Sequence, residues 1–367
     1  MRYAVTGIGI IDGLGYDLDS NFDKILNESS NFKLHPNNFT GKYDPVMNLG
    51  MLTAETAIAQ SGLSTSIYQP APVLTSSINA GKHSLLDFVD KFYNNAKRVS
   101  PTRLLSSGSS FLSSTIAEKY NLTGPNFNVS AACTGSMNVI ELGCMFIDKG
   151  APFAVVSGYD CMSDNFSDGY DSWSFDMMMA SSPTGQLLAF DEQANGSVIG
   201  DGACTMIIEN YQHAIDRGAN ILAVIDYVSS SSDSDHPVRP SMSGVGLSQL
   251  LDNLPDFQID YINAHGTGTP LGDPLELNIL SKYFTDIPIS SFKNNVGHTM
   301  GAASIIETAY CVKVLQTGII PKSCNVTKPI DKNVVMENIT KPINTILKVA
   351  LGFGGRCATA VLSRYND

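Results

Sequence analysis

Cys133 is the residue of this sequence best placed to act as a nucleophile. It follows a strand-like run and precedes a predicted helix, and the small residues from Ala131 to Ser136 leave its sulfur accessible. The positive end of a helix dipole favours a thiolate over a thiol. We therefore expect a thiolate nucleophile at this position. Four other cysteines are interpreted as buried free thiols: Cys144, Cys161, Cys204 and Cys311.

Two histidines lie in polar, glycine-containing segments far from this cysteine along the chain. His265 belongs to the run 263–269, which is rich in Gly and Thr and follows a strand-like segment. A single histidine more often has a structural role. In a run of Gly and Thr, however, packing against apolar side chains does not explain its presence. His298 follows Lys293 by five residues. Together with the cysteine, the two histidines indicate covalent catalysis by a nucleophile.

Short strand-like runs alternate with helical segments along the whole chain, and these elements must position the three side chains. Most of the runs are apolar throughout, as expected of strands that helices cover on both faces. The pattern predicts an α/β protein with mainly parallel sheets. Four examples are the runs 3–5, 71–74, 154–157 and 205–208.

Two segments of the chain resemble each other and predict an internal duplication. Residues 127–136 and 289–304 each contain a strand, a turn of small residues and the start of an apolar helix. We predict two halves, 1–215 and 216–367, that form one interlocked unit. The Ser-rich segment 228–245 is the clearest irregular stretch, and either a loop near the site or a surface excursion explains it.

Composition limits the classes of function. The 367 residues are 43% hydrophobic and 16% charged, which is typical of a globular protein, and a net charge of −12 argues against nucleic-acid binding. No apolar run approaches the roughly 18 residues that a membrane span needs. Seven cysteines without a C-x-x-C pair favour a reduced compartment and no structural metal. We expect a cytoplasmic protein that does not bind membranes.

These motifs resemble the elongating β-ketoacyl-acyl carrier protein synthases of the thiolase superfamily, a family that includes polyketide ketosynthases. The resemblance extends from the run 5–9 to the Gly-Phe-Gly-Gly run 352–355. It implies a thiolase-like α/β fold, in which two duplicated βαβαβαββ halves form a layered αβαβα core. The family also pairs the lysine before its second histidine with a glutamate fourteen residues later. Glu307 stands at that distance from Lys293.

The resemblance implies roles for further residues. Cys133 would carry the acyl group while His265 and His298 serve a malonyl thioester, giving a decarboxylative Claisen condensation. The backbone amides of Cys133 and Phe353 would form an oxyanion hole, with Phe353 also acting as a gate. Thr267 and Thr269 resemble hydroxyls that bind the pantetheine arm.

The resemblance also implies partners. Substrates would arrive on the phosphopantetheine of an acyl carrier protein, with no bound cofactor. Lys97 and Arg98 match a basic pair that contacts the carrier. A dimer is expected, either of identical subunits or with a subunit similar to a chain-length factor.

Other functions remain open from the sequence. A non-catalytic subunit similar to a chain-length factor is disfavoured because such partners lack the nucleophilic cysteine. A thiolase acting on coenzyme A esters is disfavoured because thiolases usually replace one of the two histidines by Asn. Arg356-Cys357 replaces the family's usual Thr-Asn. The segment 30–55 is shorter than in the family, and the run Leu188-Ala189-Phe190-Asp191 stands where the family has an Arg before Pro-Phe-Asp in its docking surface. These departures favour specialised polyketide, polyene or related lipid synthesis over housekeeping fatty-acid elongation.

Overall fold

The computed structural model describes residues 1–39, 43–65, 68–94, 100–162, 170–236 and 243–366. Two 3-10 helices lie at Pro36–Phe39 and Met300–Ala302. The strands of this part of the chain are β1 Tyr3–Asp12, β2 Val73–Ser76, β3 Asn126–Val129, β4 Phe153–Asp160, β5 Gly202–Asn210, β6 Ala223–Ser232, β7 Tyr261–Asn263, β8 Ile289–Ser290, β9 Ile319–Ile320, β10 Ile339–Thr340, β11 Thr345–Gly352 and β12 Arg356–Ser363.

The helices complete the α/β pattern that the sequence predicts. None of those described is long and apolar enough to cross a membrane. They are α1 Leu18–Leu26, α2 Pro45–Ser61, α3 Lys82–Tyr93, α4 Pro101–Leu105, α5 Phe111–Lys119, α6 Gly135–Asp148, α7 Tyr170–Met177, α8 Tyr211–Asp216, α9 Val245–Asp252, α10 Gly272–Tyr283, α11 Lys293–Val296 and α12 Ala303–Thr317.

Ten strands form one sheet in the order β3-β2-β4-β5-β1-β6-β12-β11-β7-β8. β2 is parallel to β3 and β4, and β7 is parallel to β8 and β11. The other five pairings are antiparallel, so the prediction of mainly parallel sheets is wrong. The reason is that the last strand of each half runs back beside its predecessor. β11 and β12, for example, are joined by a tight turn instead of a crossover helix.

The sheet repeats one topology twice. In chain order the first half contributes β1 to β5, arranged 3-2-4-5-1, and the second contributes β6, β7, β8, β11 and β12 in the same arrangement. This confirms the duplicated halves. They join where β1 pairs with β6, through Tyr3↔Ile225, Ala4↔Val224 and Val5↔Ala223. The division at residues 215 and 216 stays a prediction.

Helices complete the predicted αβαβα layers. α6 and α12 pack against each other and against strands of both halves, so they form the central layer. α2 covers β1 and β5 on one outer side, while α9 covers β6 and β12 on the other. α12 is buried along most of its length, as its nearly continuous apolar sequence requires. The central helices therefore bring residues of the two halves together.

One local prediction needs correction. The Ser-rich run 228–232 is the end of strand β6 and pairs with β12, so it is not a loop. Serine side chains are accepted there because this end of the strand is only partly buried. Residues 233–236 follow without regular structure, and 237–242 lie outside the described residues.

Candidate active site

Cys133 lies in a tight turn between β3 and α6. The preceding residue, Ala132, has a φ of +50°, a conformation that non-glycine residues seldom adopt and that often marks a functional site. Gly135 opens the helix, where a Cβ would lie 2.3 Å from the Ser76 hydroxyl oxygen. From the second half, the Ser304 hydroxyl donates to the carbonyl of Cys133 at 2.9 Å. The nucleophile is thus held by both halves.

His298 lies against the sulfur of Cys133. Its Nε2 is 3.0 Å from Sγ, and the backbone N–H of Met300 donates to its Nδ1 at 3.3 Å. A nitrogen that accepts from an amide carries no proton in the neutral ring. The proton of neutral His298 therefore lies on Nε2 and faces the sulfur.

His265 follows β7 and faces His298. The two ring centroids are 5.5 Å apart and the rings are nearly perpendicular, at 83°. Lys293 Nζ donates to the carbonyl of His265 at 2.6 Å and lies 3.3 Å from its Nδ1. Because an ammonium group has only donors, Nδ1 must accept and the proton of neutral His265 lies on Nε2.

Both imidazoles are held in the neutral form. Burial is the main cause that lowers the pKa of His265 and of His298 well below the usual value, and the Lys293 and Lys348 ammonium groups lower both further. Neutral rings with Nε2–H are hydrogen-bond donors, not proton donors, toward a negative oxygen. The pair is therefore suited to stabilise an enolate or oxyanion.

The sulfur of Cys133 differs from the prediction. Burial raises the pKa of its thiol to about 12, although Lys293 and the backbone N–H of Cys133 act in the opposite direction. The resting group at neutral pH is therefore a thiol. The expectation of a thiolate is wrong because desolvation outweighs the helix terminus when the side chain is only 6% exposed.

Lys293 and Glu307 form a buried ion pair behind the histidines. Nζ of Lys293 is 2.5 Å from Oε1 of Glu307, and both side chains are excluded from solvent. A second lysine, Lys348, lies 2.5 Å from the other carboxylate oxygen. Sequence reasoning did not identify Lys348, because a lysine inside an apolar strand belongs to no motif and only its burial marks it.

Two further carboxylates shape the loop that carries His265. Glu276 accepts from the backbone N–H groups of His265 and Gly266 at 2.6 and 2.9 Å. Asp273 accepts from Thr267 and from Gly268. Burial raises the pKa of Asp273 to about 7. Both acids follow the Gly- and Thr-rich run 263–269 within seven residues, and an acid so close to this loop was the available signal for this role.

Asp160 supports the other side of the site. It accepts from the Ser77 hydroxyl at 2.6 Å, from the Ile78 amide at 3.1 Å and from the Gly301 amide at 2.8 Å. It therefore fixes the turn that carries His298 to the end of β4. Nothing in the sequence around Asp160 predicted this function.

Two cavities meet at Cys133. The first, of about 280 Å³, is also lined by His265, His298, Thr267 and Thr269. The second, of about 370 Å³, is also lined by Cys133 and mainly by apolar side chains, with Ser130, Ser174 and Arg356 as polar members. Both are bounded by three bulky side chains: Phe175, Met178 and Phe353.

Phe353 lies in the turn that follows β11. Its ring stacks on Phe175 with centroids 6.4 Å apart, and a Cβ on Gly352 would lie 3.3 Å from the backbone nitrogen of Cys133. The turn thus approaches the nucleophile closely, as an oxyanion hole between the two backbones requires. Lys97 and Arg98, the predicted carrier-docking pair, lie outside the described residues.

The cysteines and acids offer no metal centre in the described part of the chain. All seven cysteines are free thiols. Across the ranges from 1–39 to 243–366 that the structure describes, no three His, Cys, Asp or Glu side chains are grouped as metal ligands.

Comparisons with known proteins match nearly the whole chain. Residues 16–214 match the family model of the β-ketoacyl synthase N-terminal domain, and residues 222–327 match that of the C-terminal domain. The 3-oxoacyl-[acyl-carrier-protein] synthase 1 of Escherichia coli K12 is 30% identical over 337 residues, covering 86% of this chain and 81% of its own.

Solved structures show the same fold. The ishigamide ketosynthase/chain length factor superposes with a TM-score of 0.88 at 22% identity, covering 100% of this chain and 99% of that one. A type II polyketide synthase acyl-carrier protein in complex with its ketosynthase gives a TM-score of 0.87 at 20% identity, with 99% of both chains covered.

Proposed function

The chain belongs to the β-ketoacyl synthase family, and we propose that Cys133, His265 and His298 carry out a decarboxylative Claisen condensation. The substrates are an acyl thioester and a malonyl thioester, each on the phosphopantetheine of an acyl carrier protein. The observation that carries the proposal is that the three side chains converge on one cavity. His298 Nε2 lies 3.0 Å from Cys133 Sγ, and His265 lines the same cavity.

In the first step the acyl group moves to Cys133. The sulfur attacks the thioester carbonyl, the bond from that carbon to the pantetheine sulfur breaks, and the proton of the Cys133 thiol ends on the departing sulfur. The backbone N–H groups of Cys133 and Phe353 stabilise the oxyanion. Such a donor typically lowers the barrier by about 2.7–4 kcal/mol.

In the second step the malonyl thioester loses carbon dioxide. The electrons of the broken C–C bond form an enolate, and its oxygen accepts from Nε2–H of His265 and Nε2–H of His298. The enolate carbon then attacks the acyl-Cys133 thioester. The product is a β-ketoacyl thioester two carbons longer, and the released sulfur takes a proton from solvent.

Other residues position these groups. Lys293 orients His265 through its carbonyl and Nδ1, while Glu307 holds Lys293. Thr267 and Thr269 line the cavity through which a pantetheine arm reaches Cys133. Phe353, 39% exposed at the edge of both cavities, is the gate.

The partner is a carrier protein, and the assembly is a dimer. β3 is one of the two edge strands of the ten-stranded sheet, paired only with β2 among the described residues, so its outer edge can pair with a second subunit. Light scattering coupled to size exclusion measures the mass of the assembly. Co-purification with a tagged copy of this chain tests whether the second subunit is identical or a different protein.

A non-catalytic chain-length-factor role is disfavoured, because the cysteine and both histidines are present and assembled. Incubation with acyl-carrier protein followed by mass spectrometry tests the proposal. We expect an acyl adduct on Cys133 and carbon dioxide release from malonyl-carrier protein. A folded protein without the adduct would support the binding role, and turnover only with acetyl-coenzyme A would support a thiolase.

A further inference from the structure

Lys348 is a buried cation in the interior of the sheet. It lies on β11, paired with Asn263 of β7 on one side and with Ala360 of β12 on the other. Its side chain is 0% exposed, and its Nζ lies 2.5 Å from Oε2 of Glu307 and 2.6 Å from the carbonyl of Val349. A lysine is almost never buried without a partner. Its position therefore requires an explanation beyond packing.

Lys348 brings a second positive charge to the buried charges around the two histidines. Glu307 and Glu276 are both buried carboxylates, and Lys293 supplies one positive charge. Lys348 supplies the second. Removing one partner from a buried ionic cluster leaves an uncompensated charge in a medium that solvates it poorly.

Glu307 is shared between the two lysines. Oε1 is 2.5 Å from Lys293 Nζ, and Oε2 is 2.5 Å from Lys348 Nζ. Lys348 contacts Oε2 as an ion pair, while Lys293, bound to Oε1, also reaches the carbonyl and Nδ1 of His265. Lys348 lines neither cavity at Cys133, so any effect on Lys293 passes through Glu307.

We propose that Lys348 is a positioning residue for the condensation, which shares Glu307 with Lys293 and so keeps His265 and His298 neutral with Nε2–H directed into the cavity. This inference rests on the proposed function of the site. It assigns Lys348 an action through Glu307 and Lys293, without contact to substrate.

The electrostatic surroundings agree with this role. After burial, which is the largest cause, Lys293 and Lys348 each lower the pKa of both His265 and His298. Other titratable groups lie on the elements around the cluster. They are Cys133 in the turn before α6, Asp160 of β4, Tyr261 of β7, Asp273 and Glu276 of α10, and Cys311 of α12.

Loss of Lys348 has a defined consequence. One ammonium group would then face two carboxylates, and the excess negative charge would favour protonation of the imidazoles. A protonated ring carries N–H on Nδ1 as well, where His265 faces Lys293 and His298 faces the Met300 amide. Two donors cannot share a hydrogen bond, so protonation would also disturb the ring orientation.

The test is a titration of the full-length protein labelled with ¹³C and ¹⁵N at histidine, followed by NMR, comparing wild type with Lys348→Met. We expect the pKa of His265 or His298 to rise by roughly one unit or more in the variant. Lys313→Met is the matched control. Lys313 lies near the C-terminal end of α12 and pairs with Asp19 of α1, so this variant removes a lysine charge from the same helix that carries Glu307 without touching the Glu307 cluster. Lys348→Arg should retain the wild-type titration.

Equal titrations in Lys348→Met and Lys313→Met would overturn the proposal. Circular dichroism checks the fold, and if Lys348→Met does not fold, Lys348→Gln against Lys348→Arg gives the same comparison. Carbon dioxide release from malonyl-carrier protein is measured in parallel, and its acid limb should move to higher pH with the titration. A wild type that releases no carbon dioxide refutes the proposed function, whereas the titration still decides the role of Lys348.

Discussion

Lys293 donates two of its hydrogen bonds to one residue, His265: one to the carbonyl oxygen at 2.6 Å and one to Nδ1 at 3.3 Å. The ammonium group thereby fixes both the position of the ring and the location of its proton. Lys293 itself is absent from the lining of the cavity at Cys133, whereas His265 and His298 both line it. The protonation state of these two rings is thus the property on which the proposed second step depends.

Decarboxylation should persist at mildly acidic pH. A lowered pKa means that the neutral rings remain dominant as pH falls through the usual histidine value of about 6.5. We expect carbon dioxide release from malonyl-carrier protein to change little between about pH 7.5 and pH 6. Stopped-assay measurement of the released gas checks this. A fall centred near pH 6.5 would show that the rings titrate normally.

Alkylation of Cys133 should accelerate with pH over the whole accessible range. Burial raises the pKa of the thiol to about 12, so the reactive thiolate fraction rises about tenfold per pH unit below that value. Mass spectrometry after timed exposure to iodoacetamide measures the rate. A plateau below pH 8 would mean that the thiolate is already the resting form.

Cys133→Ala should abolish condensation while leaving the fold intact. Removal of a nucleophile typically costs a factor of roughly 10⁴ or more in turnover. Product formation and acyl labelling are both measured. Cys144→Ala is the matched control, since Cys144 lies on α6, the helix that follows Cys133, is buried and has no role in the proposed chemistry. Residual acylation of Cys133→Ala at another residue would move the nucleophile elsewhere.

His298→Ala should impair decarboxylation more than acylation. Loss of one donor to the enolate oxygen is expected to slow carbon dioxide release by a factor of about 10²–10³. Acylation depends mainly on the sulfur and the backbone amides, so the acyl-Cys133 adduct should still form. The two half-reactions are assayed separately with acyl-carrier and malonyl-carrier protein. A variant that fails to acylate itself would contradict this division of roles.

Thr267→Val should weaken binding of the pantetheine arm. One lost hydrogen bond is worth about 0.5–1.5 kcal/mol, which corresponds to a rise in KM of about 2- to 12-fold with kcat little changed. Steady-state kinetics with carrier-bound substrate measures the effect, and unchanged iodoacetamide labelling of Cys133 verifies that the site is intact. An unchanged KM would place the arm elsewhere in the cavity.

The sequence predicts the features that local chemistry and periodicity encode. The Gly- and Thr-rich run around His265 and the spacing from Lys293 to His298 indicate the site from the sequence alone. The strand and helix pattern predicts the α/β class, and the similarity of residues 127–136 and 289–304 predicts the duplicated halves. Strand direction was not encoded in this way, because an apolar strand reads alike in a parallel and an antiparallel pairing.

Properties that arise from burial were missed. From the sequence, Lys348 is expected at the surface, but in the structure the sheet encloses it beside Glu307. From the sequence, the thiol of Cys133 is expected to be activated by the helix that follows it, but its low exposed fraction opposes ionisation. Both depend on the dielectric environment, which results from contacts between residues distant in sequence. The preference for a specialised pathway stays a prediction, which mass analysis of the products tests.

β1 and β6 join the two halves through three residue pairs, yet the sulfur comes from the first half and both imidazoles from the second. The distance between Cys133 and His298 therefore reports how the halves are aligned. A displacement of about 1 Å in a reacting group can lower a rate about 100-fold. A substitution that shifts β1 relative to β6 should accordingly lower turnover strongly, while the circular dichroism spectrum stays that of a folded protein.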